Sequence, residues 1–371
     1  MDFVILKVDL KNAFNKVSRY HILRLAKKHF PGLARWLHWC YGAAEDPYLW
    51  FGDWIIRSKE GCQQGDPLGP LCFSLVIQDI IVAISKACPN LALNLWYLDD
   101  GIIAGKSADV MAALRIIQNL GPEMGMDLNL KKNELVKFSS ESDDFPKDFK
   151  RFYRNFELLG TPIGDEKYCT EFIAKKVTKK LKHTLEALGQ LEDAQVFHYM
   201  VRLTSSMCKV VHLLRAVPPK YCKQALIDFD DAIKEHVSLG LGICFTDQAW
   251  TQFCLPSRDG GAGLRRAQDH SAGAYLASVI SAASHDGWDP STAVGWHEAV
   301  ADFCALSGAA PPSQHNPPLK KQRDFSKLVD CKCRDDLIAS FASSPRDQAR
   351  LRSVGAAGSS SWLQVIPSFK L

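Results

Sequence analysis

Hydrophobic periodicity places this chain of 371 residues in the α+β class. Within residues 1–165 the apolar positions follow, in turn, the patterns of a strand, two helices, a strand hairpin, a helix and further strands. From Glu171 onward the 3.6-residue period of helices takes over. This order predicts an antiparallel sheet with helices on one face, followed by an all-α region.

Each element of the predicted sheet region is marked by its residue types and by the residues that stop it. Residues 3–10 are β-branched and apolar, as in a buried strand, and Asp9 stands near the end. A helix starts at Ser18 and stops at Pro31-Gly32, and another follows residues 61–67, where Asp66 can cap it. The remaining predicted elements are a hairpin over residues 91–105, a helix over 107–120, a strand within 126–138 and a short strand pair over 156–163.

The hairpin over residues 91–105 carries two adjacent carboxylates, Asp99 and Asp100, between apolar arms. Adjacent anions repel each other and lose hydration in such a place, so a nearby cation, above all a divalent metal ion, would stabilise them. The alternative is an ordinary surface turn, because Asp and Gly are favoured turn residues. The hairpin alone leaves both interpretations open.

The helical region carries an apolar stripe opposite a basic one. The apolar residues are Ile173, Val177, Leu181, Leu185 and Leu188, and the basic ones are Lys175, Lys176, Lys179, Lys180 and Lys182. A solvated helix face is the ordinary interpretation of such a run, and contact with phosphates is the functional one. We divide the chain into domains 1–165, 166–285 and 286–371, the last of which contains two segments of linker composition, 305–322 and 355–361.

Composition excludes several classes of protein. The net charge of +4 is too small to indicate nucleic-acid binding by itself. The twelve cysteines are scattered without a CxxC pair, which favours free thiols in a reducing compartment, nucleus or cytoplasm, over a disulfide scaffold or a zinc finger. We predict no signal peptide, because the start MDFVILKVDL has no basic region followed by an uninterrupted apolar core. We predict no membrane span, because Gln78 and Asp79 break the long apolar run over residues 71–84.

Five short motifs follow one another within about 160 residues. They are DLKNAF at 9–14, QQGDPLGPL at 63–71, YLDD at 97–100, GMDLNLKK at 125–132 and LLG at 158–160. In this order and spacing, residues 1–165 resemble the palm of the reverse transcriptases of non-LTR (LINE-like) retrotransposons. The helical part to about residue 285 resembles their thumb. Because the fingers precede the palm in that family, we expect a truncated, retrotransposon-derived chain without fingers.

The chemistry of nucleotidyl transfer fits the acidic residues of these motifs. Two divalent ions roughly 3.5 to 4 Å apart can stabilise both the attacking and the leaving oxygen, and they need hard oxygen ligands. We predict Asp9 and Asp99 as ligands of two Mg²⁺ ions, with Mn²⁺ as an alternative. Because successive strand residues point to opposite faces, Asp100 is not expected to ligate in the same way as Asp99, and we give it a supporting role at the metal site.

The resemblance also implies roles for residues outside the metal site. Phe14 matches the steric gate, an aromatic ring that excludes a 2′-hydroxyl, although core packing is an alternative explanation. Gln64 and Gly65 match residues that contact the incoming nucleotide and the templating base, and Lys132 matches the general acid that protonates pyrophosphate. The lysine stripe of residues 175–182 would then hold a duplex backbone.

Two hypotheses follow from the sequence. In the first, the protein is an RNA-directed DNA polymerase that extends a primer on an RNA or DNA template with dNTPs. In the second, it is a catalytically inactive palm and thumb remnant that binds nucleic acid or has only a structural role.

Overall fold

The computed structural model describes residues 2–42, 48–139, 143–312 and 321–364. The chain forms two compact units, Met1–Phe156 and Glu157–Leu371. The division falls at Phe156, before the predicted limit at residue 165, because the second strand of the predicted short pair packs against helices of the second unit.

The first unit combines a five-stranded sheet, a separate hairpin and helices. Its strands are β1 (Val4–Val8), β2 (Tyr48–Phe51), β3 (Trp54–Arg57), β4 (Leu93–Tyr97), β5 (Asp100–Gly105), β6 (Glu134–Lys137) and β7 (Lys150–Tyr153). Its helices are α1 (Ala13–Lys16), α2 (Arg19–His29), α3 (Pro31–Tyr41), α4 (Gly69–Ala87) and α5 (Ser107–Leu120).

The sheet has the strand order β4-β5-β1-β6-β7. Strand β1 lies at its centre and pairs antiparallel with both β5 and β6. The predicted antiparallel sheet is thus confirmed for four strands, and the edge pair β6 and β7 is parallel.

Alternation along β1 decides which face of the sheet carries the core. Val4, Leu6 and Val8 are buried, whereas Ile5 and Lys7 between them are only half-buried. The buried residues of α2, α4 and α5 join the same apolar cluster as Val4, Leu6 and Val8. The helices therefore cover one face, as the α+β class predicts, and leave the other face more open.

Several elements differ from the sequence prediction. Pro31 begins α3 at its first turn, where the missing amide costs nothing, and so Pro31-Gly32 separates two helices. The β2 and β3 hairpin was not predicted, since its apolar residues run without alternation and remain exposed, as at Trp50 and Trp54. Asp66 does not cap α4: the cap position is Leu68, whose backbone N–H donates to the Asp66 Oδ1 at 2.8 Å.

The second unit is helical. After β8 (Phe156–Leu158) and β9 (Thr161–Ile163), its helices are α6 (Glu166–Ile173), α7 (Lys179–Leu188), α8 (Ala194–Thr204), α9 (Val211–Ala216), α10 (Lys223–Leu241), α11 (Asp247–Cys254), α12 (Ala267–Asp286), α13 (Trp296–Ser307), α14 (Gln322–Ser340) and α15 (Pro345–Val354). Helix α12 shares one apolar core with α13 and α14. The predicted linker 305–322 lies partly outside the described residues, and residues 355–361 form turns.

The helix that carries the lysine stripe contains a wider turn. Residues Ala174–Thr178 form a π-helical segment between α6 and α7. The apolar stripe repeats every four residues from Ile173 to Leu185. In a regular helix of 3.6 residues per turn, side chains at this spacing would rotate progressively away from the core. The π-helical turn contains more residues than an α-helical turn, which compensates for this rotation, and both Ile173 and Leu185 are buried.

Within the residues that the structure describes, one helix, α4, is long and apolar enough to cross a membrane by length and composition. A core helix passes the same test, and Phe73, Val76 and Ile80 on α4 are buried in the core of the first unit. All twelve cysteines are free thiols, as the sequence predicted.

Candidate functional site

Strand pairing brings Asp9 and Asp100 together. In the antiparallel register of β1 and β5, Val8 lies opposite Gly101, and extending that register by one residue places Asp9 opposite Asp100. Directly paired residues in an antiparallel sheet point to the same face. Both carboxylates therefore lie on the face of Lys7, opposite the helices.

The predicted hairpin is confirmed, and its turn separates the two adjacent carboxylates. Tyr97 pairs with Asp100, so Leu98 and Asp99 form the connection, and Leu98 takes a left-handed backbone with φ of 58°. Asp99 thus lies in the turn and Asp100 begins β5. Because the two are not successive residues of one strand, strand alternation does not decide which of them binds a metal ion.

The charges of Asp9 and Asp99 act on the carboxyl group of Asp100. Burial, followed by the charges of Asp99 and Asp9, raises the pKa of Asp100, and Lys7 partly offsets the effect. Lys7 itself donates a hydrogen bond to the Glu134 carboxylate. The cluster therefore keeps an excess of negative charge on the open face of the sheet.

Carboxylate oxygens are the donors that Mg²⁺ prefers, so the chemistry of Asp9, Asp99 and Asp100 fits that ion. Among the described residues, however, no group of three or more His, Cys, Asp or Glu side chains is gathered into a ready metal site. The fit therefore rests on charge and donor type.

The motif over residues 125–132 is tied to Asp9 by backbone hydrogen bonds. The Asn129 N–H donates to the Asp9 carbonyl at 2.9 Å, and the Lys11 N–H donates to the Asp127 carbonyl at 2.7 Å. Lys132 follows within the same turn and is exposed. The predicted metal ligand and the predicted general acid are thus on connected segments of one unit.

Asn133 is a site residue that the sequence analysis missed. It is fully buried, and its Oδ1 accepts a hydrogen bond from the Asp9 backbone N–H at 2.7 Å. Its only signal in the sequence is that it follows Lys132, which says nothing about a contact with a residue 124 positions earlier.

Phe14 and the segment of Gln64 are also joined. The Cys62 N–H donates to the Phe14 carbonyl at 2.6 Å. The Phe14 ring is half-buried and stacks on Phe73, with ring centroids 4.8 Å apart. Phe14 therefore packs against Phe73, as the core-packing alternative predicts, and is still partly accessible, as a steric gate requires.

Gln64 and Gly65 are exposed to solvent at the tip of their loop. Gly65 has φ of 93°, which favours glycine, and a Cβ placed there would meet no atom within 4 Å. The space above Gly65 is thus open to a ligand.

The lysine stripe lies in the second unit and divides into two groups. Lys175 pairs with Glu171 at 3.2 Å, and Lys176 pairs with Glu157 and lies 4.7 Å from the centre of the Phe172 ring. Across the described ranges, Lys179, Lys180 and Lys182 are exposed and form no ion pair. These three are the lysines most available to an anionic partner.

Residues 2–163 match the family described as reverse transcriptase (RNA-dependent DNA polymerase). This match covers nearly all of the first unit, which therefore contains a reverse transcriptase domain. A comparison with curated protein sequences gives no match.

Among solved structures, the chain is similar to telomerase from Candida albicans and from Candida tropicalis, each in complex with a TWJ fragment of telomeric RNA. The identities are 10% and 11%, and both TM-scores are 0.37. The alignments cover 99% of this chain and 50% and 49% of the telomerase chains, so this chain spans about half of their length.

Proposed function

We propose that the protein is an RNA-directed DNA polymerase of the non-LTR retrotransposon type, using a primer, a template and dNTPs. The observation that carries the proposal is the surroundings of Asp9. The β1–β5 register, extended by one residue, places Asp100 opposite Asp9, the Asp9 charge acts on the Asp100 carboxyl, and the Asn129 N–H donates to the Asp9 carbonyl.

In this proposal Asp9 and Asp99 hold two Mg²⁺ ions, and Asp100 supports them from the opposite strand. The ions would supply charge stabilisation at the attacking and leaving oxygens. Lys132, whose side chain is exposed, would give a proton to the leaving pyrophosphate.

The remaining residues bind and select the nucleotide and the duplex. The accessible part of the Phe14 ring excludes a 2′-hydroxyl, and the open space at Gly65 admits the nucleotide next to Gln64. Lys179, Lys180 and Lys182 neutralise phosphates of the primer-template duplex, with Lys175 and Lys176 contributing less because carboxylates already pair with them.

Primer extension by the purified chain tests this proposal, on RNA and DNA templates with Mg²⁺ or Mn²⁺. Asp9→Ala and Asp99→Ala should abolish synthesis. Asp53→Ala is the control, because Asp53, like Asp99, is an acid in a two-residue hairpin turn of the first unit, and it is exposed. Synthesis that survives both substitutions would overturn the proposal.

The second candidate is a catalytically inactive domain that binds nucleic acid. The exposed, unpaired lysines at 179, 180 and 182 favour it, since they need no metal chemistry. Salt-dependent binding to a primer-template duplex without synthesis under any metal would support it.

A further inference from the structure

The loop of residues 62–68, which carries Gln64 and Gly65, is organised around Asp66. The Asp66 N–H donates to the Gln63 carbonyl at 3.2 Å, and the Leu68 N–H donates to Asp66 Oδ1 at 2.8 Å. These bonds close a turn within the loop. They do not by themselves fix the turn to the rest of the unit.

Tyr41 supplies a link from this turn to the helices. Tyr41 is the last residue of α3 and only 5% exposed, and its hydroxyl donates to Asp66 Oδ2. The same hydroxyl accepts a longer hydrogen bond, 3.4 Å, from the Gln63 backbone N–H. One buried oxygen therefore contacts the residues on both sides of Gln64-Gly65.

The Tyr41 hydroxyl is suited to a permanent contact. Burial and the neighbouring Asp66 raise the pKa of Tyr41 above its usual range. The hydroxyl thus remains protonated, and donates to the Asp66 carboxylate, throughout the neutral pH range. Hydrogen bonds to an ionised acceptor are stronger than neutral ones.

Arg19 holds the ring of Tyr41 and the chain that leads into the loop. Its guanidinium lies 5.2 Å from the centre of the Tyr41 ring. It also donates to the Gly61 carbonyl at 2.9 Å, to the Ser58 hydroxyl at 2.7 Å and to the Glu60 carbonyl at 3.2 Å. Tyr41 and the entry to the loop are therefore fixed by one side chain of α2.

We propose that Tyr41 is a positioning residue that holds Gln64 and Gly65 in the conformation that receives the incoming nucleotide, with Arg19 as its support. This proposal rests on the proposed function, because it concerns the nucleotide site of the polymerase. Tyr41 itself does not contact the nucleotide. It acts through Asp66, whose backbone directly follows Gly65.

The test is Tyr41→Phe, which removes the hydroxyl and keeps the ring beneath Arg19. Tyr20→Phe on α2 is the matched control, because Tyr20 is 71% exposed. We expect Tyr41→Phe to raise the KM for dNTP roughly tenfold, as for the loss of a hydrogen bond to a charged group, with kcat changed less than about twofold. Tyr20→Phe should change neither.

Hydrogen exchange of residues 62–68 gives a second readout that needs no catalysis. Amides of this loop should exchange faster in Tyr41→Phe than in wild type, with the exchange of β1 unchanged. Asp66→Asn weakens the same contact. The loop amides of the double variant should therefore exchange no faster than those of the more affected single variant.

The two measurements separate the failure of this proposal from the failure of the proposed function. Unchanged loop exchange in Tyr41→Phe would overturn the positioning role, whether or not the wild type extends a primer. Additive effects of Tyr41→Phe and Asp66→Asn would overturn it as well. A wild type that synthesises nothing while Tyr41→Phe still loosens the loop counts against the polymerase and supports the structural half of the positioning role.

Discussion

Gly125 and Gly65 have similar backbone conformations and different surroundings, and this difference predicts two different defects. Their φ angles are 74° and 93°. Alanine at either position would have to adopt a left-handed backbone conformation, which costs about 1–2 kcal/mol of conformational free energy. A Cβ at Gly65 meets nothing within 4 Å, whereas a Cβ at Gly125 would lie 1.9 Å from the Lys16 carbonyl oxygen.

The clash at Gly125 cannot be relieved by a side chain, because the obstructing atom belongs to the backbone. The Ser18 N–H donates to the Met124 carbonyl at 2.9 Å and holds the two segments together. Overpacking of this kind adds about 1–3 kcal/mol. We therefore expect Gly125→Ala to lose about 2–5 kcal/mol of unfolding free energy and Gly65→Ala about 1–2 kcal/mol.

Hydrogen exchange of the β1 amides at increasing urea measures the stability of the first unit separately from the second. Gly65→Ala should retain most of that stability and yet bind dNTP more weakly, because its methyl group enters the open space beside Gln64. Equal losses of stability in the two variants would refute the reasoning, since they would mean that the contact with Lys16 relaxes at no cost.

Three further predictions follow. Phe14→Val should reduce the preference for dNTP over rNTP in incorporation assays, whereas Phe73→Leu, which replaces the buried stacking partner 4.8 Å away, should leave that preference unchanged. A loss of preference in both variants would identify packing as the cause. Replacing Lys179, Lys180 and Lys182 together by Gln should weaken duplex binding and reduce the slope of log affinity against log salt concentration by up to about 3. The pair Lys175→Gln and Lys176→Gln should change both quantities less, because carboxylates already pair with these lysines. A larger effect of the pair would contradict the role assigned to Lys179, Lys180 and Lys182. Burial raises the pKa of Asp230, on α10, to about 7, so ionisation of this carboxyl opposes folding. The free energy of unfolding should therefore fall by up to roughly 4 kcal/mol as the pH rises from about 4 to 7. Urea unfolding at pH 5 and pH 8 should show this pH dependence in the wild type and not in Asp230→Asn.

Local signals predicted the elements that have regular periodicity and clear stops. The helix Ser107–Leu120 is predicted to the residue, because its apolar face repeats at helical spacing and Gly121-Pro122 ends it. Helix α3 was missed because Pro31-Gly32 is a stop signal for α2 and also a permitted start for the next helix. A single dipeptide cannot distinguish these two uses.

The hairpin that carries Asp99 and Asp100 was predicted from the sequence, whereas two tertiary contacts near the candidate site were not. The pairing of Tyr97 with Asp100 follows from a hairpin that the sequence displays. The bonds of Asn133 to Asp9 and of Tyr41 to Asp66 join residues 124 and 25 positions apart, and neither partner has a sequence pattern that indicates the other. Such supports become visible only when the sheet and helices bring the segments together.

Two features near Asp9 are unfavourable for the stability of the fold. The pKa of Asp100 is raised in part by Asp9 and Asp99, and the Nδ2 of buried Asn133 has no hydrogen-bond partner among the residues that the structure describes. Replacing Asp99 or Asp100 by a neutral residue would relieve the repulsion, and an apolar residue at 133 would remove the unsatisfied amide. The first change would lose a carboxylate of the proposed metal site, so the proposed polymerase function would account for the repulsion. The second change would leave the Asp9 backbone N–H without its acceptor, so this hydrogen bond accounts for Asn133.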